Sequence, residues 1–99
     1  MELSEKQKKH LRRLAHSLSP VVMIGSAGLT APVVSELDRA LAAHELVKVS
    51  VRVADRARRN AALAALGAGT ASELVQRVGH VGVFYRRRHG LAVVMIPDE

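Results

Sequence analysis

Between Leu46 and Val53 the chain alternates strictly: Val47, Val49, Val51 and Val53 fall on one parity, and Lys48, Ser50 and Arg52 on the other. A period of two places the valines on one face of a strand and the polar residues on the other. The spacing on both sides is different. Upstream, Val33, Leu37, Ala40, Leu41 and His44 recur near a period of 3.6, behind Thr30 as N-cap and Pro32 in the first turn, where a missing N–H costs little. Downstream, Asp55 can cap a helix over 56–66 through Ala62, Leu63 and Leu66, with Gly67 as its C′ residue. A strand between two helices points to an α/β arrangement.

The rest of the chain extends this string. Ser4 and Gln7 have capping-box spacing, and Leu11, Leu14, Ala15 and Leu18 form an apolar stripe, so a helix is expected over 4–18, ended by Pro20. Val21–Ile24 reads as a short buried strand. Residues 74–78 and 81–86 read as strands around Gly79-His80, where glycine first in a two-residue loop suits a type II′ hairpin. Leu91–Ile96 can add a last edge strand. The order is α-β-α-β-α-β-β. The β-α-β-α-β part predicts parallel strands, and the hairpin adds an antiparallel one.

Ninety-nine residues suffice for one domain, which can bury roughly 60–70% of its unfolded surface. Hydrophobic residues at 48% and charged residues at 24% argue against a wholly disordered chain. No cysteine is present, which excludes disulfides, thiolate-ligated metals and thiol catalysis and suits a reducing cytosol. No apolar run approaches the roughly 20 residues of a bilayer span, nor does one of signal-peptide length follow the basic N-terminus. A cytoplasmic location and no membrane role are therefore expected. Phe84 and Tyr85 are the only aromatic residues, so the core rests on aliphatic side chains. They stand on opposite sheet faces; one belongs to the core and the other is a candidate for stacking on a base.

Motifs for catalysis are thin. Gly67-Ala68-Gly69 follows a helix rather than a strand and lacks the third glycine of a dinucleotide fingerprint. Ser26 lacks a nucleophile-elbow frame, and Lys48 stands where a zincin's second histidine belongs. His10, His16, His44, His80 and His89 show no ligand spacing, so no enzyme activity, metal or cofactor is expected.

The net charge of +6 instead favours a polyanionic partner. Lys6, Lys9, Arg13 and His16 form a stripe on the first helix that no acid interrupts, flanked by Lys8 and Arg12. Gly25-Ser26-Ala27-Gly28 joins a strand to a helix N-terminus, where backbone N–H groups can hold a phosphate. Loops of this G-x-x-G form clamp nucleic-acid backbones in KH domains. Arg86-Arg87-Arg88 makes a second basic cluster at the end of a strand. The competing readings are an architectural binder of DNA or messenger RNA, a small enzyme using Ser26 with His16 or His44, and a membrane-surface helix.

These residues also carry a family resemblance. Leu3-Ser4, Lys6-Gln7-Lys8, Leu11, Leu14-Ala15-His16, Pro20-Val21-Val22, Ile24-Gly25, Gly28-Leu29-Thr30 and His44-Glu45-Leu46-Val47-Lys48-Val49 resemble the YhbY-like CRM RNA-binding domains. Val78-Gly79-His80 and Tyr85-Arg86 are similar too, so the resemblance spans about residues 2–97. It implies a single CRM-type domain over 1–99 with a four-stranded mixed sheet, like the C-terminal domain of bacterial translation initiation factor three. It further implies RNA binding without catalysis and association with ribosomal RNA in precursors of the large ribosomal subunit; a monomer is expected. By position, Gly25, Ser26, Ala27 and Gly28 would contact RNA and the basic residues of the first helix would line the same surface; Arg86 and Arg87 are further candidates from their charge alone. Phe84, where an aliphatic residue is common, and the run Arg86–Arg88 depart from the family pattern.

Overall fold

The computed structural model describes residues 3–88, 90 and 92–97. The elements follow the expected order: α1 Glu5–Ala15, β1 Val22–Ile24, α2 Ala31–His44, β2 Leu46–Val51, α3 Arg56–Thr70, β3 Glu73–Val78 and β4 Val81–Tyr85. Local signals set the starts. Ser4 Oγ accepts the Gln7 amide at 3.1 Å and Gln7 Oε1 accepts the Ser4 amide at 2.9 Å, a complete capping box. Thr30 and Asp55 cap α2 and α3 from one side only, their side chains accepting the Val33 and Arg58 amides.

The sheet is mixed, in the order β1-β2-β4-β3. β1 runs parallel to β2 across the α2 crossover, while β4 lies antiparallel to both β2 and β3. β1, β2 and β3 therefore share one direction, as the sequence pattern implies, but β4 stands between β2 and β3. A hairpin strand can enter there because α3 carries the chain past one strand position before β3 begins.

Each face of the sheet has its own core. Val47, Val49 and Val51, with Val22, Ile24 and Phe84, pack against Leu37 and Leu41 of α2 and Leu63 and Leu66 of α3. Leu46, Val75, Val83 and Tyr85 face the other way and pack under Leu11 and Ala15 of α1. Phe84 and Tyr85 thus lie on opposite faces, and both are buried at 0% and 1% exposure. Tyr85 has no ring face left for a base, because α1 covers it. At Gly82 any side chain would enter the first core: a Cβ there would stand 2.8 Å from a Leu63 methyl.

Four expectations change. First, α1 ends at Ala15, short of Pro20, and only Leu11 and Ala15 of its stripe are buried. Proline constrains just the residue before it, and residues 16–21 lead back to the sheet, where the Val21 amide donates to the Lys48 carbonyl at 3.0 Å. Leu14 and Leu18 remain partly exposed. Second, β2 stops at Val51, although Val53 still packs in the core.

Third, Gly67 does not end α3, which continues to Thr70 and turns at Ala71, φ 53°. Gly67 serves close packing instead: a Cβ there would meet the Phe84 ring at 3.4 Å. The Ser72 amide closes the helix on the Gly67 carbonyl at 3.0 Å, a Schellman bond around a left-handed alanine. Fourth, residues 92–97 form no strand; Leu91 lies outside the described residues. The Val93 and Val94 amides, which a strand would use in its ladder, donate to the Glu45 carboxylate at 2.6 and 2.8 Å.

Candidate nucleic-acid interface

The Gly25–Gly28 loop closes on itself with the Gly28 amide donating to the Gly25 carbonyl at 2.9 Å. Gly28 has φ 84°, a conformation that favours glycine. No atom lies within 4 Å of where a side chain would begin at Gly25 or Gly28. The loop therefore presents bare backbone outward, with Ser26 and Ala27 exposed at its tip. An extended phosphodiester can approach such a surface without meeting a Cβ.

Cations from the β2–α3 junction, which the sequence reading passes over, stand beside this loop. The Arg52 amide donates to the Ile24 carbonyl at 2.7 Å, fixing Arg52 beside the last residue of β1. A shallow cleft of about 360 Å³ is lined by Ala27, Gly28 and Leu29 on one side and by Arg58, Ala61 and Ala62 of α3 on the other. Arg52, Arg56 and Arg58 are exposed, and their side chains make no hydrogen bond or ion pair among the described residues. Arg56 and Arg58 also occupy the first turn of α3, where no acid follows the Asp55 cap. Cations there oppose the positive end of the helix dipole. That unfavourable placement was the available signal. Behind them Arg59 is buried, with Nη1 3.3 Å from His80 Nδ1 and Nε without a partner among the described residues.

The α1 stripe lies elsewhere. α1 covers the sheet face opposite to α2 and α3, so the stripe and the loop border separate grooves rather than one shared wall. Lys6, Lys9 and Arg13 are exposed and line a groove of about 580 Å³ with His10 and the segment Met95–Pro97. His16 is exposed at the end of α1. The flanking cations are committed: Arg12 Nε donates to the Val75 carbonyl at 2.8 Å, and Lys8 pairs with Glu5 at 3.6 Å.

The third basic cluster is bound into the fold. Arg86 Nη1 donates to the Asp38 carboxylate at 2.7 Å and to the Thr70 carbonyl at 2.8 Å, and Nη2 donates to the Asp38 carbonyl at 3.0 Å. Arg86 thereby joins α2 to the end of α3. The Arg88 amide donates to Glu45 Oε2 at 2.8 Å, and its Nη1 reaches the Ala42 and Ala43 carbonyls at the end of α2. Only Arg87 of the three is exposed.

Glu45, which carries no role in the sequence reading, organises this end. It is fully buried between α2 and β2 at φ 64°, a conformation costly for a residue with a Cβ. Burial pushes its carboxyl up. The amides of Arg88, Val94 and Val93 and the Arg88 charge outweigh that and hold it below the ordinary value. With Gln7 Nε2 donating to the Pro97 carbonyl at 2.7 Å and the His10 ring 2.9 Å from the Met95 carbonyl, the carboxylate straps residues 92–97 across α1.

Among the described residues no group of three or more histidine, aspartate or glutamate side chains could hold a metal ion, and no helix is long and apolar enough to cross a membrane.

Comparison with known proteins agrees with this architecture. A Haemophilus influenzae protein named "RNA-binding protein" is 48% identical over 84 residues, 85% of either chain. A Pseudomonas aeruginosa protein named "Probable RNA-binding protein" is 42% identical over 87 residues, 88% of this chain and 84% of that one. The solution structure of a hypothetical protein from Staphylococcus aureus has the same fold, with a TM-score of 0.84 and 33% identity over 97% of this chain and 100% of that one. Residues 3–86 match the CRS1/YhbY (CRM) domain. A chain matched over that span, with relatives 42–48% identical over more than four fifths of its length, belongs to the CRS1/YhbY family of CRM domains.

Proposed function

We propose that this protein binds RNA without catalysis, and that its target is ribosomal RNA in precursors of the large subunit. One observation carries the reading: a loop of bare backbone stands beside three arginines that the fold leaves without partners among the described residues. The names of the relatives support RNA as the ligand. The ribosomal target rests on the family resemblance, a cytoplasmic location on the cysteine-free composition, and the domain is proposed to act as a monomer.

The chemistry has two parts. The amides at the loop tip and the arginines of the β2–α3 junction take one or two phosphates, so backbone shape is read rather than base identity. The stripe Lys6, Lys9, Arg13 and His16, with Arg87, adds ion pairs to phosphate whose strength comes from counterion release and falls with salt. Arg86 contributes by holding the strand end that carries Arg87.

Replacing Ser26 and Ala27 together by aspartate puts two negative charges where phosphates dock. Affinity for a folded ribosomal RNA fragment should fall at least about tenfold, or 1.4 kcal/mol, with the urea midpoint unchanged. Unaltered affinity in a filter-binding assay removes the loop from the interface. Cross-linking in cells tests the target: enrichment of messenger RNA over ribosomal RNA overturns it.

A further inference from the structure

We propose that the groove between the C-terminal half of α1, the segment leading from it to β1, the start of β2 and residues 92–97 seats one unpaired nucleotide of the bound RNA, an inference that rests on the RNA-binding reading. The groove holds about 820 Å³, within the roughly 300–1,000 Å³ of ordinary ligand sites. Its walls are aliphatic: Leu14, Leu18, Val21, Leu46, Val93 and Met95. Several of them stay open to water, with Leu14 at 38%, Val21 at 61% and Met95 at 76% exposure. An apolar patch left open on a basic domain points to a ligand.

The charge around the groove says which one. Lys48 stands along it, its ammonium donating to the Leu18 carbonyl at 3.0 Å, and no acidic side chain lines it among the described residues. His10 and Met95 also line the neighbouring groove, whose cations are Lys6, Lys9 and Arg13. An RNA backbone lying along the α1 stripe therefore passes the mouth of an apolar slot. A nucleotide matches that pair of grooves, with a flat apolar face for the slot and a phosphate for the stripe.

Polar groups for a base edge are present. The Ser17 hydroxyl donates to the Leu14 carbonyl at 3.3 Å and can still accept, and Ser19 and His44 line the same groove. A base fully paired in a duplex cannot enter, so the slot selects bulged or looped nucleotides. A peptide is less well served: β1, at the edge of the sheet, offers only three residues for strand addition. Val93 and Met95 lie beyond the 3–86 stretch that matches the family, so this chain's own C-terminal segment builds part of the slot.

The test uses the whole chain and two RNA hairpins of one stem sequence, one fully paired and one with a single bulged uridine, followed by fluorescence anisotropy at fixed salt. The bulged hairpin should bind about tenfold more tightly. The double variant Leu18→Ser/Met95→Ser should lose that gain while binding the paired hairpin as before; both side chains are already partly exposed, so folding should survive. A 4-thiouridine at the bulge should cross-link to residues 10–19 or 92–97. Equal affinity for the two hairpins, or a gain that survives in the double variant, overturns the proposal while leaving RNA binding intact. If neither hairpin binds, the RNA-binding reading itself falls, and this one with it. Binding of an acidic, leucine-bearing peptide that the double variant abolishes, with no bulge preference, assigns the groove to a protein partner and overturns the proposal.

Discussion

At one end of the sheet, where β1 and β2 finish, Arg52, Arg56 and Arg58 extend into solvent with no internal partner among the described residues. At the other end, Arg86 bonds to Asp38 and Thr70, and Glu45 gathers the amides of Arg88, Val93 and Val94. In the sequence both are short arginine clusters following a strand. The fold separates them by supplying acceptors to one and none to the other. A bound arginine adds to stability; an unpartnered one adds to the field that a polyanion meets. The two ends should therefore respond oppositely to mutation, one in stability and the other in RNA affinity.

The largest expected effect is at Glu45. Glu45→Gln keeps the shape but removes the charge that three amides share, and should lower stability by about 2–4 kcal/mol, seen as a lower urea midpoint at unchanged slope. The pH dependence has a definite sign. A carboxyl held below its ordinary value stabilises the fold above its unfolded pKa of about 4.3, and that contribution is lost as pH falls through the folded value. Wild type should therefore lose stability in that acid window, and Glu45→Gln should show a shallower loss. An equal acid slope in both removes Glu45 as the anchor of this end.

The second effect belongs to the open end. Changing Arg52, Arg56 and Arg58 to glutamine should leave the urea midpoint within about 0.5 kcal/mol of wild type. It should also reduce the slope of log K against log salt by about 0.7–0.9 for each phosphate that is no longer neutralised. The same measurement on Lys6, Lys9 and Arg13 compares the α1 stripe with the loop end. If only the stripe variants change the slope, the loop end is ordinary solvated surface.

Which end is which could not be read from the sequence, although much of the fold could. The valine alternation from Val47, the Ser4–Gln7 box and the Thr30 and Asp55 caps depend on neighbours within a few residues, and each appears in the structure. The misses depend on packing between distant segments. Gly67 looks like a helix stop until the Phe84 ring is found against it. Leu91–Ile96 looks like a strand until Glu45 takes the amides of Val93 and Val94. Glu45 left one trace: α2 passes straight into β2 with neither glycine nor asparagine at the junction, so another residue had to accept the positive φ. For the candidate interface, the loop is legible from its glycines. Whether a cation is available is not, since that depends on acceptors such as Asp38 from far along the chain.

Arg86 and Arg87 make the same contrast between adjacent residues. Arg86→Ala should cost about 1–2 kcal/mol of stability, because it removes the donor to the Thr70 carbonyl and to the Asp38 carboxylate. Arg87→Ala, at an exposed position, should change stability by less than about 0.5 kcal/mol. Its effect should fall on RNA affinity. Equal stability losses would mean that exposure does not separate the two roles.

The smallest expected effect on stability has the opposite sign. Arg58 occupies the N3 position of α3, where Gln7 of α1 completes a capping box and where an acid suits the helix dipole. Arg58→Glu should therefore stabilise the chain by about 0.3–1 kcal/mol. The same change replaces a cation in the cleft beside Ala27 and Gly28 with an anion, so RNA affinity should fall. A chain that becomes firmer and binds more weakly is retaining an unfavourable cation for the sake of its ligand. If Arg58→Glu instead lowers stability, Arg58 has a structural role, and the loop end resembles the closed end more than its exposed arginines suggest.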